Sequence, residues 1–209
     1  MVREIRLDLY AEDKAHEEFV GALLHRLSRE NRIESILTPR SAEGGAPRML
    51  QELKGYQKGV RKGLFDTPDL LVVAQDTNCT PWHQVRQTLA ECIDKETFPA
   101  FVVACPDPHI ERWFFADPPS FQRVIGVECE PGRVKCEKGL YKNKLRDALR
   151  RGGHLPTLES IEFALELVEA MDLYRAGKNE SSLHHFLDEL RGALALLVGR
   201  NEQVNSQDS

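Results

Sequence analysis

The sequence predicts an α/β protein with a mostly parallel sheet flanked by helices and a C-terminal helical hairpin. Two short apolar runs, residues 69–74 and 99–105, are typical of strands that are buried on both faces, as in a parallel sheet. Segments with the apolar spacing of helices lie between the predicted strands, which favours parallel strands joined by right-handed crossovers. Two further helical patterns, over 157–171 and 181–198, predict the hairpin.

The strands and helices before residue 69 are predicted from the spacing of apolar residues in each segment. They are a strand over 4–10, a helix over 13–30, an extended piece over 33–38 and a helix over 47–64. The strand has apolar residues at alternate positions, and Asp13 is a suitable N-cap for the helix that follows.

The elements of the second half begin with proline signals. Thr80-Pro81 and Asp107-Pro108 each place a capping side chain before a proline, which predicts two helix starts. A basic helix is predicted over 139–151. The apolar stripes of the hairpin are core positions, and their members are Leu158, Ile161, Leu165 and Val168 on one helix and Leu183, Phe186, Leu187, Leu190, Leu194 and Leu197 on the other.

The chain length fits one domain, or one domain with a small appendage, and therefore a single hydrophobic core. The 209 residues fit an α/β domain over 1–138, a helical segment over 139–200 that packs on it, and a disordered tail over 201–209. The formal net charge of −5 argues against a protein that coats nucleic acid by charge alone. No apolar run approaches the roughly 18 to 20 residues that span a bilayer, and the N-terminus does not read as a signal peptide, so we expect a cytoplasmic protein that does not contact membranes.

Cysteine usage agrees with that compartment, because the five cysteines are odd in number and contain no C-x-x-C pair. Cys92 and Cys105 lie in apolar segments and are expected in the core. Cys129 and Cys136 are either ordinary loop residues or half of a zinc site, although no matching pair follows at finger-like spacing.

Carboxylates follow three of the predicted strands. Glu12 follows the first strand, Asp76 follows residues 69–74, and Glu111 follows residues 99–105. The carboxyl ends of parallel strands share one edge of the sheet, so these acids are expected to converge there. Oxygen ligands of this kind suit Mg²⁺ or Mn²⁺ and predict a phosphoryl-transfer site. Helix capping is the alternative, which we favour for Asp13 and Asp107 but not for Glu12 and Asp76.

Basic residues and histidines have a structural and a functional interpretation. Lys142 and Lys144 are the candidates for contacts with a substrate phosphate. The alternative for them, and for a second basic cluster within 54–62, is a solvated helix face. The histidines near predicted helix starts are either polar first-turn residues or catalytic groups, and they are His16, His83 and His109.

The acidic segments resemble those of a Toprim domain, with Glu12 after the first strand, His16-Glu17 in the next turn and Asp76-Thr77-Asn78 after a buried strand. More narrowly, the chain resembles the small stand-alone Toprim-like proteins encoded beside ATPases in bacterial defence loci, which are relatives of OLD-family nuclease Toprim domains. The segments that carry the narrower likeness are 106–117, 141–149 and 171–190.

The resemblance implies a Toprim-like, Rossmann-like fold and a role for each acid. Glu12 would be the general acid/base or a metal ligand, Asp76 the first metal-binding aspartate, and Glu111 a further acidic site residue. The second aspartate of the family motif is Asn78 here, which keeps an oxygen ligand for Mg²⁺ or Mn²⁺ but removes a charge. Asp117 either stands near the site or ends its helix.

The resemblance implies a metal-dependent nuclease that cleaves DNA or RNA and acts in anti-phage defence with a partner ATPase. A homo-oligomer is compatible with that role. A catalytically inactive Toprim-fold regulatory subunit of an ATPase complex is the first alternative. A phosphatase or nucleotide hydrolase is the second, but Gly44-Gly45 lacks the Gly-Lys-Ser/Thr of a phosphate-binding loop.

Overall fold

The continuous apolar runs form neighbouring strands of one sheet in the computed structural model, which describes residues 4–41, 44–129, 132–156 and 161–207. Within these ranges all strand pairs are parallel and the order is β2-β1-β3-β4. The strands are β1 (Ile5–Ala11), β2 (Ser35–Ser41), β3 (Leu70–Ala74) and β4 (Phe101–Ala104). The predicted α/β class with a parallel sheet is therefore confirmed.

Helices connect the strands and continue after the last one. The helices are α1 (Lys14–Glu30), α2 (Gly45–Arg61), α3 (Trp82–Cys92), α4 (Glu111–Phe114), α5 (Pro118–Ile125), α6 (Leu140–Arg151), α7 (Ala164–Ala170), α8 (Leu173–Asn179) and α9 (Ser181–Gln207). Among the described residues, none of the helices is long and apolar enough to cross a membrane.

The sheet separates two apolar layers. One face packs against α1 and helices α4 to α9, with Leu9, Phe19 and Trp113 in its core. The other face packs against α2 and α3, with Tyr56 and Val73 in its core. Both faces of β3 are covered, which explains why its sequence is apolar at every position.

The C-terminal helices differ from the predicted hairpin. Residues 157–160 lie outside the described residues, and α7 begins only at Ala164, where Leu165 is 55% exposed instead of buried. The predicted connection contains the extra helix α8, which forms because the Asp172 side chain accepts hydrogen bonds from the amides of Tyr174 and Arg175 at 3.0 Å.

Helix α9 carries the predicted leucine stripe, and all six of its members are buried. The helix continues to Gln207, into the segment assigned to a disordered tail. Residues 201–207 contain no glycine or proline to end it.

The region after β4 also differs from its prediction. Asp107 does not cap a helix, because α4 starts at Glu111 and its N-cap position is Ile110. Asp117 occupies the N-cap position of α5, whose first residue is Pro118.

The structure joins Cys79 and Cys136 in a disulfide, with Cα atoms 5.7 Å apart. The interpretation of Cys136 as half of a zinc site is therefore wrong. Cys105 is buried, as predicted, whereas Cys92 is only half-buried.

Candidate acidic site at the carboxyl edge of the sheet

The carboxyl ends of β1 and β3 bring Glu12 and Asp76 together. Glu12 follows β1, and its amide donates a hydrogen bond to the carbonyl of Ala74, the last residue of β3. The Glu12 Oε2 atom accepts a hydrogen bond of 2.9 Å from the Asp76 amide, and Oε1 accepts one of 3.2 Å from the amide of Ala46 in α2. The Glu12 carboxylate thus links three elements at this edge.

The Asp76 carboxylate is the centre of the cluster. Its Oδ1 atom accepts a hydrogen bond of 2.7 Å from the Ile110 amide and lies 2.9 Å from Nε2 of His16. Its Oδ2 atom accepts a hydrogen bond from Nδ1 of His109 at 3.0 Å. Because Ile110 and His109 follow β4, three adjacent strands contribute to this one site.

His16 is fully buried in the first turn of α1, between two carboxylates. Asp13 caps α1 by accepting a hydrogen bond from the His16 amide at 3.1 Å, and its Oδ1 atom also lies 2.6 Å from Nδ1 of the ring. Although burial opposes charge, the carboxylates of Asp76 and Asp13 raise the pKa of His16 well above its usual value. The imidazolium therefore donates to both acids.

The acids of the cluster have different proton affinities. Burial pushes the pKa of Asp76 upward, but the positive His16 and the hydrogen bond from His109 outweigh burial and hold that pKa below its usual value. Burial and the nearby negative charge of Asp76 raise the pKa of Glu12, although His16 opposes this, and they also raise the pKa of Glu111. Carboxylates whose pKa values are pushed apart in this way are suited to distinct acid and base roles.

Glu111 is the first residue of α4, and Arg112 fixes this short helix in place. Arg112 is buried and donates hydrogen bonds to Glu180 at 2.9 Å and to the Tyr141 hydroxyl at 3.0 Å. Trp113 donates from Nε1 to the Ser182 hydroxyl at 3.0 Å. Helices α6 and α9 therefore help to position Glu111.

Asp117 belongs to a structural contact. Its Oδ2 atom accepts hydrogen bonds from the Ser120 hydroxyl at 2.6 Å, the Asp172 amide at 2.8 Å and the Arg175 guanidinium at 3.0 Å. These bonds join α5 to α8, so Asp117 stabilises the packing of the helices.

Asn78 is placed differently from Asp76. Its side chain is exposed, its amide donates to the Pro108 carbonyl at 3.1 Å, and its φ of 46° is in the left-handed region, which asparagine tolerates. Thr77, in contrast, is buried, and its hydroxyl donates to Asp107 at 3.2 Å. In the segment Asp76-Thr77-Asn78, the side chains of Asp76 and Thr77 therefore point inward, whereas that of Asn78 is exposed.

The two candidate phosphate contacts lie on α6, which packs against α4. Lys142 and Lys144 are half-exposed, and the Lys144 ammonium lies 5.5 Å from the centre of the Phe115 ring. Lys144 also lines a groove with Asp147 and Arg150, and none of the three candidate carboxylates lies in the wall of that groove. The second basic cluster is a solvated face of α2, since Lys54, Lys58, Arg61 and Lys62 are exposed.

The donor set matches a divalent cation in type, because Glu12, Asp76 and Glu111 offer only oxygen. In the described part of the chain, however, no three His, Cys, Asp or Glu side chains are arranged to hold a metal. Both oxygens of Asp76 already accept hydrogen bonds from His16, His109 and Ile110. A cation therefore fits at Asp76 only if His109, which is partly exposed, leaves Oδ2.

The histidines are the site residues that sequence reasoning undervalued. His16 and His109 touch Asp76, whereas His83 lies beside Trp82 with ring centres 5.9 Å apart. One signal was present in the sequence: His16 shares the apolar face of α1 with Phe19 and is a polar residue on a buried stripe.

Comparison with known proteins identifies the family. No curated protein and no solved structure matches the chain. A family model described as a domain of unknown function (DUF4276) matches residues 11–191, which include every site residue discussed above. The chain therefore belongs to the DUF4276 family.

Proposed function

We propose that the protein is a metal-dependent nuclease of Toprim type that hydrolyses phosphodiester bonds of DNA or RNA. The observation that supports the proposal is the convergence of Glu12, Asp76, His16 and His109 at the carboxyl edge of one parallel sheet, with Glu111 directly after Ile110, whose amide donates to Asp76. Active sites of open parallel sheets lie at this edge.

Glu12 and Asp76 would supply oxygen ligands to Mg²⁺ or Mn²⁺ once His109 leaves Oδ2 of Asp76. The side-chain oxygen of Asn78 is the third ligand that the resemblance implies, but its exposed position directs it away from Asp76. Such an ion would neutralise the negative charge on a phosphate oxygen of the substrate. Glu12 would accept a proton from the attacking water, since burial raises its pKa above the usual value of a glutamate. Glu111 provides a second carboxyl group on the α4 side, and Lys142 or Lys144 would contact a flanking phosphate.

A partner is part of the proposal. The formal net charge of −5 gives the chain little general attraction for nucleic acid. We infer that an ATPase partner, as the resemblance to defence proteins implies, presents the substrate in the bacterial cytoplasm.

A non-catalytic subunit with the same fold is the second candidate, and two observations favour it. The side chain of Asn78 is exposed, so it brings neither a charge nor a described contact to Asp76. Both oxygens of Asp76 are engaged by protein groups. In that case the cluster would have a structural role.

The experiment that separates the candidates is a cleavage assay with the purified full chain. Single-stranded DNA, double-stranded DNA and tRNA are incubated across a Mg²⁺ and Mn²⁺ titration, with and without the proposed ATPase partner. The nuclease proposal predicts metal-dependent cleavage that is lost in EDTA. The absence of cleavage in every condition, including with Asn78→Asp, would contradict the nuclease and support the non-catalytic subunit.

A further inference from the structure

A cavity of about 430 Å³ lies on the α2 face of the sheet, away from the acidic cluster. Its walls are β1, β2 and residues 63–68, which follow α2. Its apolar lining is unusually accessible: Ile36 is 48% exposed, Leu64 69% and Phe65 47%. The volume lies within the range of small-molecule sites, which is roughly 300 to 1,000 Å³.

The guanidinium of Arg40 is held in a fixed position at this cavity. Its Nε atom donates a hydrogen bond of 3.1 Å to Oδ2 of Asp8, a buried carboxylate that also accepts a bond of 2.5 Å from the Tyr56 hydroxyl. The guanidinium carbon lies 4.6 Å from the centre of the Tyr56 ring and 5.7 Å from that of Phe65. Asp8 and the Tyr56 ring, the nearer of the two rings, thus orient Arg40 before any ligand arrives.

The terminal nitrogens of Arg40 remain available to a ligand, since neither donates a hydrogen bond within the described residues. A guanidinium whose Nε is anchored presents these two donors side by side, which matches two oxygens of a phosphate or carboxylate. The Arg40 side chain is already ordered in the free protein, so binding a ligand costs little further conformational entropy and the affinity is higher.

Arg6 adds a second positive charge to the same cavity. Its guanidinium donates to Asp66 at 2.8 Å and to the Thr67 carbonyl at 3.0 Å. The Asp66 side chain is 88% exposed, and exposed ion pairs of this kind contribute little to stability. A ligand anion can therefore replace Asp66 as the partner of Arg6.

We propose that this cavity binds a small organic anion that carries a flat ring, of which a nucleoside monophosphate is the simplest common example. The phosphate contacts Arg40 and Arg6, while the base stacks on the exposed ring of Phe65. Thr38 pairs with Asp8 in the sheet and lines the cavity between the two arginines.

The cavity is separate from the acidic cluster. Asp8 and Glu12 are four residues apart along β1, which corresponds to about 13 Å in an extended strand. A test of ligand binding in this cavity therefore does not depend on whether the protein is a nuclease.

Isothermal titration of the full chain with AMP, in EDTA so that no divalent cation contributes, tests the proposal. We expect AMP to bind, and both adenosine and inorganic phosphate to bind at least ten-fold more weakly. Arg40→Ala should weaken AMP binding at least ten-fold, while Arg48→Ala, an exposed arginine of α2 that pairs with Glu52, should not change it. No heat of binding for AMP, or equal affinity of wild type and Arg40→Ala, would overturn the proposal.

Phe65→Ser tests the ring contact in a variant that keeps both arginines. The AMP affinity should fall, whereas the affinity for inorganic phosphate should stay at the wild-type value. If AMP binds Phe65→Ser as tightly as wild type, the cavity takes the phosphate alone and the proposed ligand class is wrong.

Discussion

The Nε2 atom of His16 lies 2.9 Å from Oδ1 of Asp76 and joins the first turn of α1 to the end of β3. The ring is fully buried, and its second nitrogen faces Asp13. A positive imidazole between two negative carboxylates offsets their repulsion within the folded protein.

Replacing His16 with alanine should destabilise the protein by about 3 kcal/mol, because the Asp76 carboxylate would lose its buried positive partner. Urea unfolding at pH 7 measures the difference. His25→Ala is the matched control, since His25 is an exposed residue of the same helix and its loss should cost little. Equal stabilities of the two variants would contradict the assigned role of His16.

Replacing Leu187 with aspartate should cost about 4 kcal/mol or more, because the side chain is fully buried in the α9 stripe and a charge there has no partner. Leu196→Asp on the same helix is the control, since Leu196 is 68% exposed. Thermal melting of both variants gives the comparison. An unchanged melting temperature for Leu187→Asp would mean that the stripe is not a core element.

The Asp117 contact predicts a pH-dependent contribution to stability. Burial alone would raise the pKa of Asp117, but hydrogen bonds from Arg175, Ser120 and the Asp172 amide hold it below its usual value. An acid whose pKa is lower in the folded state stabilises the fold above its unfolded pKa of about 3.9, and this contribution is lost as the pH falls through the folded value.

We therefore expect Asp117→Asn to be less stable than wild type by about 2 kcal/mol at pH 7. The difference should shrink as the pH falls below about 4, which denaturant unfolding across that range can follow. Asp147→Asn, at an exposed position on α6, is the control and should be about as stable as wild type at pH 7. A difference that stays constant at low pH would argue against an ionised Asp117 in the fold.

The disulfide between Cys79 and Cys136 should stabilise the oxidised protein, because it closes a loop with a sequence separation of 57 residues. Loop-closure entropy predicts a loss of about 4 kcal/mol in Cys136→Ser. Reduction with dithiothreitol should lower the melting temperature of wild type and leave that of Cys136→Ser unchanged. If dithiothreitol has no effect on oxidised wild type, the two cysteines are not bonded.

The parts of the fold that could be predicted are those encoded by local pattern. The apolar run of β3 and the stripe of α9 mark buried elements whatever the rest of the chain does. Helix α8 was missed because its seven residues give no clear periodicity and depend on the Asp172 cap. The end of α9 was missed because the apolar stripe stops before the helix does.

Some contacts of the candidate site could likewise be predicted from the sequence, and others could not. The meeting of Glu12 and Asp76 followed from the rule that parallel strands end at one edge, which needs only the element order. The contacts of Asp76 with His16 and His109 depend on side-chain geometry across 60 and 33 residues, which no local pattern encodes. The pairing of Cys79 with Cys136 likewise depends on how two distant loops meet.

We expect the proposed nuclease activity to depend on the cluster around Asp76, so cleavage by Asp76→Ala is the decisive measurement. Asp188→Ala, which removes an exposed aspartate of α9, is the control and should cleave like wild type. With circular dichroism showing that both variants are folded, we expect a loss of activity of at least ~100-fold in Asp76→Ala at saturating Mg²⁺ or Mn²⁺. Cleavage by Asp76→Ala at the wild-type rate would contradict this expectation.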